Sequence, residues 1–161
     1  PLLADIPFTI LCDITEYNEW PRHKVDVIWA SPPCLEFSTG FNAPGPTAQR
    51  EGVDFQPDLT LVKRAVEIID ELEPTYWIIE NVIGAIKHFE PFLGPPRQII
   101  GSFVLWGNMP FLHVDNFIHT KTSVDPGGSN PLRSNVRAKI PLELSQALRR
   151  AVESQTQLSE W

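Results

Sequence analysis

The sequence has no long hydrophobic run. Its apolar residues come in stretches of four to six, far below the roughly 18 that a membrane span requires. No basic-then-apolar signal segment opens the chain, so the expectation is a soluble protein of the cytoplasm with no membrane contact. Cysteine is scarce: Cys12 and Cys34 are the only two, which excludes a disulfide framework, and the four histidines show no metal-ligand spacing, so no metal is expected. A thiol is thereby free for chemistry. Positive charge is also short, with 13 Lys and Arg against 20 Asp and Glu and a formal net charge of -7, which argues against a non-specific binder of polyanions.

What is present is 161 residues with 42% hydrophobic side chains, enough for one core and one domain. Charge is unevenly placed along it. Residues 1–100 carry 15 acidic and 7 basic side chains, whereas 121–150 carry six basic and two acidic ones, so nucleic-acid contact is expected toward the C-terminal end.

Three short apolar runs end in polar residues: Phe8 to Asp13, Val25 to Ala30 followed by Ser31-Pro32-Pro33-Cys34, and Tyr76 to Asn81. Such runs suit central parallel strands of an α/β sheet, with ligands lying beyond their C-terminal ends, so three strand ends are predicted to converge on one cleft. Leu59, Val62, Val66, Ile69 and Leu72 recur at helical spacing over Asp58–Leu72, with Asp58 as cap, which predicts the crossover helix of a β-α-β unit. Thr39 to Pro57, rich in Gly and Pro and without periodicity, reads as a long mobile loop over the site. Beyond the third run, a short helix is predicted over Val82–Phe89, strands over Arg97–Trp106 and Met109–Val114, an exposed polar excursion over 123–137, and a terminal helix over Pro141–Glu153.

Two residues carry the chemistry. Cys34 follows two prolines that fix their own φ angles and restrain the residues before them, which holds a nucleophile at a set angle. Glu80 closes an apolar strand, where a carboxylate is costly unless it is paired, hydrogen-bonded or functional. If the two strands are neighbours, a thiol and a proton-holding carboxyl face one cleft.

Asp13-Ile14-Thr15, then Ser31-Pro32-Pro33-Cys34 with Phe37-Ser38, then Glu80-Asn81-Val82, resemble in that order the DNA (cytosine-5) methyltransferase family, especially its compact phage and prophage members. The resemblance covers about residues 8 to 90; Leu105 to Asn108 and Arg137 to Pro141 look like the tail of the same phage members. It implies a partial Rossmann-like S-adenosylmethionine-dependent methyltransferase sheet with crossover helices. It also implies a phage or prokaryotic host cell and duplex DNA as partner. In that family Cys34 matches the thiol that attacks C6 of a flipped cytosine, and Glu80 the carboxyl that contacts N3 and the exocyclic amine. Asp13, Ile14, Pro33 and Asn81 match cofactor-binding positions, Pro33 lying also in the floor of the site and Asn81 ordering the catalytic strand end. Arg97 matches, more loosely, an arginine that steadies the target base or its phosphate.

The chain departs from that family at its start, where a glycine-rich turn for the methionine part of the cofactor is absent. A single catalytic-type domain that is N-terminally incomplete is the expectation, its cofactor-binding half lying upstream or on a second polypeptide. Two other readings stand beside methylation of DNA: a transferase acting on RNA or a free cytosine nucleotide, and a noncatalytic or split subunit that binds nucleic acid or a partner chain.

Overall fold

The computed structural model describes residues 10, 12–20, 24–115, 117 and 138–159, with side chains to 155. At its centre is a four-stranded mixed sheet formed by β1 (Val27–Ala30), β2 (Tyr76–Asn81), β3 (Gln98–Ile100) and β4 (Phe103–Trp106), in the order β1-β2-β4-β3. β1 and β2 are parallel, whereas β4 is antiparallel to both β2 and β3. This is an α/β architecture with a partial Rossmann-like sheet.

Parallel strands need a crossover, and α2 (Thr60–Leu72) supplies it between β1 and β2. It starts one residue later than the apolar spacing, which begins at Leu59, suggests. Asp58 still serves its start, its carboxylate accepting the Thr60 backbone N–H at 2.8 Å. The helix stops at Glu73, which takes a left-handed φ of 43° and donates its N–H to the Ile69 carbonyl before Pro74 bars continuation.

Side chains alternate across the sheet and build two cores. Ile79, Val104 and Trp106 face α2 and α3 (Ile86–Leu93), packing with Val62, Ile69 and Phe89. Ile78, Phe103 and Leu105 face the other way, onto Leu144, Ala147 and Leu148 of α4 (Leu142–Ser159). Ile78, Ile79 and Leu144 are fully buried, each worth about 1.5–3 kcal/mol of transfer free energy. α4 matches the expected terminal helix, with Leu144 and Leu148 on its buried face.

Four expectations are corrected. Thr39–Pro57 holds a helix, α1 (Pro44–Glu51), with Pro44 in its first turn and Gly52 as a left-handed C-cap at φ 68°. Arg97–Trp106 is a hairpin, β3 and β4 turning through Gly101-Ser102. Met109–Val114 forms no strand; Gln98 pins it, donating to the Leu112 carbonyl and accepting the Leu112 N–H at 2.8 and 2.9 Å. In the Phe8–Asp13 run, residues 8, 9 and 11 lie outside the described residues, and Ile10, Cys12 and Asp13 are not in a strand. Among the described residues, the strand ends that converge are those of β1 and β2. The 123–137 excursion also lies outside the described residues. Within them, no helix is long and apolar enough to cross a membrane.

Candidate active site

The pairing of Ala30 with Ile79 puts Ser31–Cys34 and Glu80–Asn81 side by side as they leave the sheet. That edge is where open α/β sheets hold their ligands. Cys34 opens a single 3-10 turn, Leu35–Phe37, at φ -94°, ψ 0°, a conformation typical of turn residues. Its thiol is free and half-buried.

Asn81 ties the two strand ends together. Its amide Nδ2 donates to the Pro32 carbonyl at 3.1 Å and its Oδ1 accepts the Val82 N–H at 2.9 Å, with only 1% of the residue exposed. Glu80 is 7% exposed and stands opposite Leu105, which in turn stands opposite Gln98. Alternation along β2 places the Glu80 side chain on the Ile78 face and Asn81 on the Ile79 face.

The Cys34 turn is held from its other side too. The Glu36 carboxylate accepts the Asp58 N–H at the start of α2. The Phe37 ring is buried and meets Phe89 edge to face at 4.9 Å. Beyond Phe37 a groove of ≈ 860 Å³ runs between the α1 segment and the turn after β2, with Thr39, Gln49, Phe55, Ile83 and His88 among its walls. Burial, and then the nearby Lys87 charge, hold the His88 imidazole below its ordinary value.

A second cleft, ≈ 320 Å³, lies on the opposite flank of the Pro32-Pro33 corner, bounded by Ile14, Trp20, Ala30, Pro33, Leu61 and Ala65. Its outer wall is fastened by Arg64 of α2. That guanidinium donates to the Ile14 carbonyl (3.0 Å), the Tyr17 carbonyl (3.1 Å) and Asn18 Oδ1 (3.0 Å), and pairs with Glu67 at 3.0 Å. Among the described residues, the buried Trp20 indole N–H has no hydrogen-bond partner. The slot is lined mainly by apolar side chains, as sites for flat ring systems are. Asp13 closes the segment's first turn, and bonds from the Thr15 hydroxyl and then the Thr15 N–H hold its carboxyl below the usual range.

Cys34, Pro33, Asn81 and Glu80 thus gather at one edge, with Ile14 facing Pro33 across the cleft. Asn81 reaches that cleft only through Pro32. Arg97 is not brought to the cluster: it lines a separate ≈ 490 Å³ groove with Trp77, Gly107 and Asn108, beside the opposite end of β2. Sequence reasoning passed over Arg64, Trp20 and Glu36. Arg64 resembles a solvated helix charge until its partners, 46 to 50 residues away, are seen. Among the described residues, no cluster of His, Cys, Asp and Glu could hold a metal ion.

The sequence model of the family described as C-5 cytosine-specific DNA methylase matches residues 6–92. Among curated proteins, the chain is similar to the probable DNA (cytosine-5)-methyltransferase of Frog virus 3 (isolate Goorha). The two are 34% identical over 96 residues, covering 54% of this chain and 44% of that protein. The match therefore spans less than half of that relative's length. No solved structure matches.

Proposed function

The chain belongs to the C-5 cytosine-specific DNA methylase family, and on that premise we propose that it methylates C5 of a flipped cytosine in duplex DNA, with Cys34 as nucleophile and Glu80 as the carboxyl at N3. The observation that carries this reading is the parallel pairing of β1 with β2, which sets the Cys34 turn beside the Glu80 strand end, with Asn81 bridging the two.

In the proposed reaction Cys34 Sγ forms a bond to C6 while the Glu80 carboxyl delivers a proton to N3. The electron pair of the 5,6 double bond is then available at C5. S-adenosylmethionine, when bound, supplies the methyl group that C5 takes. The largely apolar cleft between Ile14 and Pro33 supports this donor by offering its adenine ring a place. Release requires a base to remove the C5 proton; the 5,6 double bond re-forms, the sulfur leaves as thiolate, and N3 returns its proton to the Glu80 carboxylate. The prolines and the Asn81 bond keep the thiol from retreating as the base approaches, so less ordering is needed at the moment of attack. The base can meet Cys34 only outside the helix stack, and the α1 segment, which borders the groove beside the turn, is positioned to cover it.

A duplex carrying 5-fluorocytosine tests the assignment, because fluorine at C5 blocks the final elimination and leaves the sulfur–C6 bond intact. With S-adenosylmethionine present, a denaturant-stable adduct is expected, absent in Cys34→Ala and formed at least about 10²-fold more slowly in Glu80→Gln. An adduct that persists in Cys34→Ala removes Cys34 as nucleophile. Capture of single-stranded RNA or a free fluorinated nucleotide in place of the duplex redirects the substrate.

A further inference from the structure

The turn carrying Cys34 and the turn following Glu80 press together at a glycine. A Cβ at Gly84 would run into the Phe37 carbonyl oxygen, at a separation no real side chain occupies. It would also lie 3.2 Å from the Phe37 carbonyl carbon and 3.1 Å from Thr39 Cγ2. The obstacle is mostly backbone, and neither side can yield cheaply. Phe37 is 5% exposed with its ring on Phe89, and Ala85, next to Gly84, is fully buried with its N–H on the Val82 carbonyl at 2.9 Å. By contrast, a Cβ at Gly40 or Gly45 would meet nothing closer than 3.4 Å, an ordinary contact. Gly84 has no left-handed φ, so the position demands space rather than conformational freedom.

We infer that Gly84 is a positioning residue: its missing side chain lets the Leu35–Phe37 turn rest on the Ile83–Ala85 turn and so sets the separation of Cys34 from Glu80. This rests on the reading that the two groups act on one base. Asn81 fixes the same pair of segments on the sheet side, at Pro32, and Gly84 fixes them on the outer side, at Phe37. With both ends of Pro32–Phe37 held, a methyl group at Gly84 displaces the whole turn, Cys34 included. A misplacement of about 1 Å between reacting groups costs roughly 10²-fold in rate.

The test uses the chain with Cys12→Ser, leaving Cys34 as its one thiol. Alkylation of Cys34 by iodoacetamide is followed from pH 6 to 10, alongside adduct formation with the 5-fluorocytosine duplex, S-adenosylmethionine affinity and the thermal midpoint. Gly84→Ala is expected to lower the adduct rate at saturating duplex about 10²-fold and to alter the alkylation profile. The half-saturating duplex concentration and the cofactor affinity should stay within about twofold. Phe37→Leu, which keeps an apolar plug but loosens the turn on its Gly84 floor, is expected to change both readouts in the same direction by less, and it decides the matter if Gly84→Ala does not fold. Unaltered alkylation, or an unaltered adduct rate, in a folded variant overturns the inference. If the parent chain forms no adduct at all, the functional reading fails by itself, and the alkylation profile, which needs neither DNA nor cofactor, still decides the role of Gly84.

Discussion

Asn81 shows how one side chain can serve both fold and site. Both ends of its amide are used in a position with 1% exposure, so removing it takes a partner from the half-buried Pro32 carbonyl and Val82 N–H. Asn81→Ala is expected to cost about 1–3 kcal/mol in urea unfolding. It should also slow adduct formation more than it weakens cofactor binding; an unchanged unfolding midpoint would show that water replaces both bonds. Cys34 and Glu80 stood out in the sequence for a local reason, since a thiol after two prolines and a carboxylate ending an apolar run are both conspicuous against their neighbours. Gly84 and Arg64 did not. What gives them roles is a carbonyl 47 residues back in the chain for one and acceptors 46 to 50 residues back for the other.

At the scale of elements, α2 is the member that joins the two halves of the site. Its inner face packs on the sheet, and its Arg64 reaches back to fasten the Ile14–Asn18 segment that walls the smaller cleft. A lysine concentrates its three donors on one nitrogen and cannot span the separated acceptors that Arg64 reaches with Nε, Nη1 and Nη2. Arg64→Lys is therefore expected to lose about 1.5–3 kcal/mol of cofactor binding, a tenfold or larger fall in affinity by calorimetry, with the adduct rate at saturating cofactor little changed. Equal affinities would mean that the segment keeps its place unaided. At the other end of α2, Glu73 sits in a left-handed conformation that an L side chain disfavours, so Glu73→Gly should raise stability by up to about 1 kcal/mol in urea unfolding. α2 was readable from its apolar spacing. α1 was not read, although Pro44 and Gly52 bracket it in the order that marks a helix start and stop. With no residue of α1 buried there was no apolar stripe to notice, and its prolines and glycines suggested a loop.

Across the whole molecule, the sheet separates two cores, and among the described residues α4 supplies the helical wall of one of them. Leu144→Ala, at a fully buried position, is expected to cost about 2–5 kcal/mol in urea unfolding. Stability should also depend on pH through His88. Its folded-state value lies below the ordinary 6.5, so protonation favours the unfolded chain; the contribution is complete above pH 6.5 and shrinks as pH falls below it. Urea midpoints should drop between pH 7.5 and 5.5, and drop less in His88→Gln. Asp13 and Asp58 act in a lower window: both carboxyls are held below 3.8 by hydrogen bonds, so their contribution is lost only as pH falls beneath that value. The sequence by itself determined what short-range pattern can express: apolar runs closed by Pro-Pro-Cys and by Glu-Asn, a helix of fixed period between them, and a family likeness held in those same motifs. Tertiary structure alone decided that β1 and β2 lie side by side, that Arg97 faces a groove away from the cluster, and that the Cys34 turn rests on Gly84. Strand order and close approach are set by contacts between residues tens of positions apart, and no local window of the chain contains both partners.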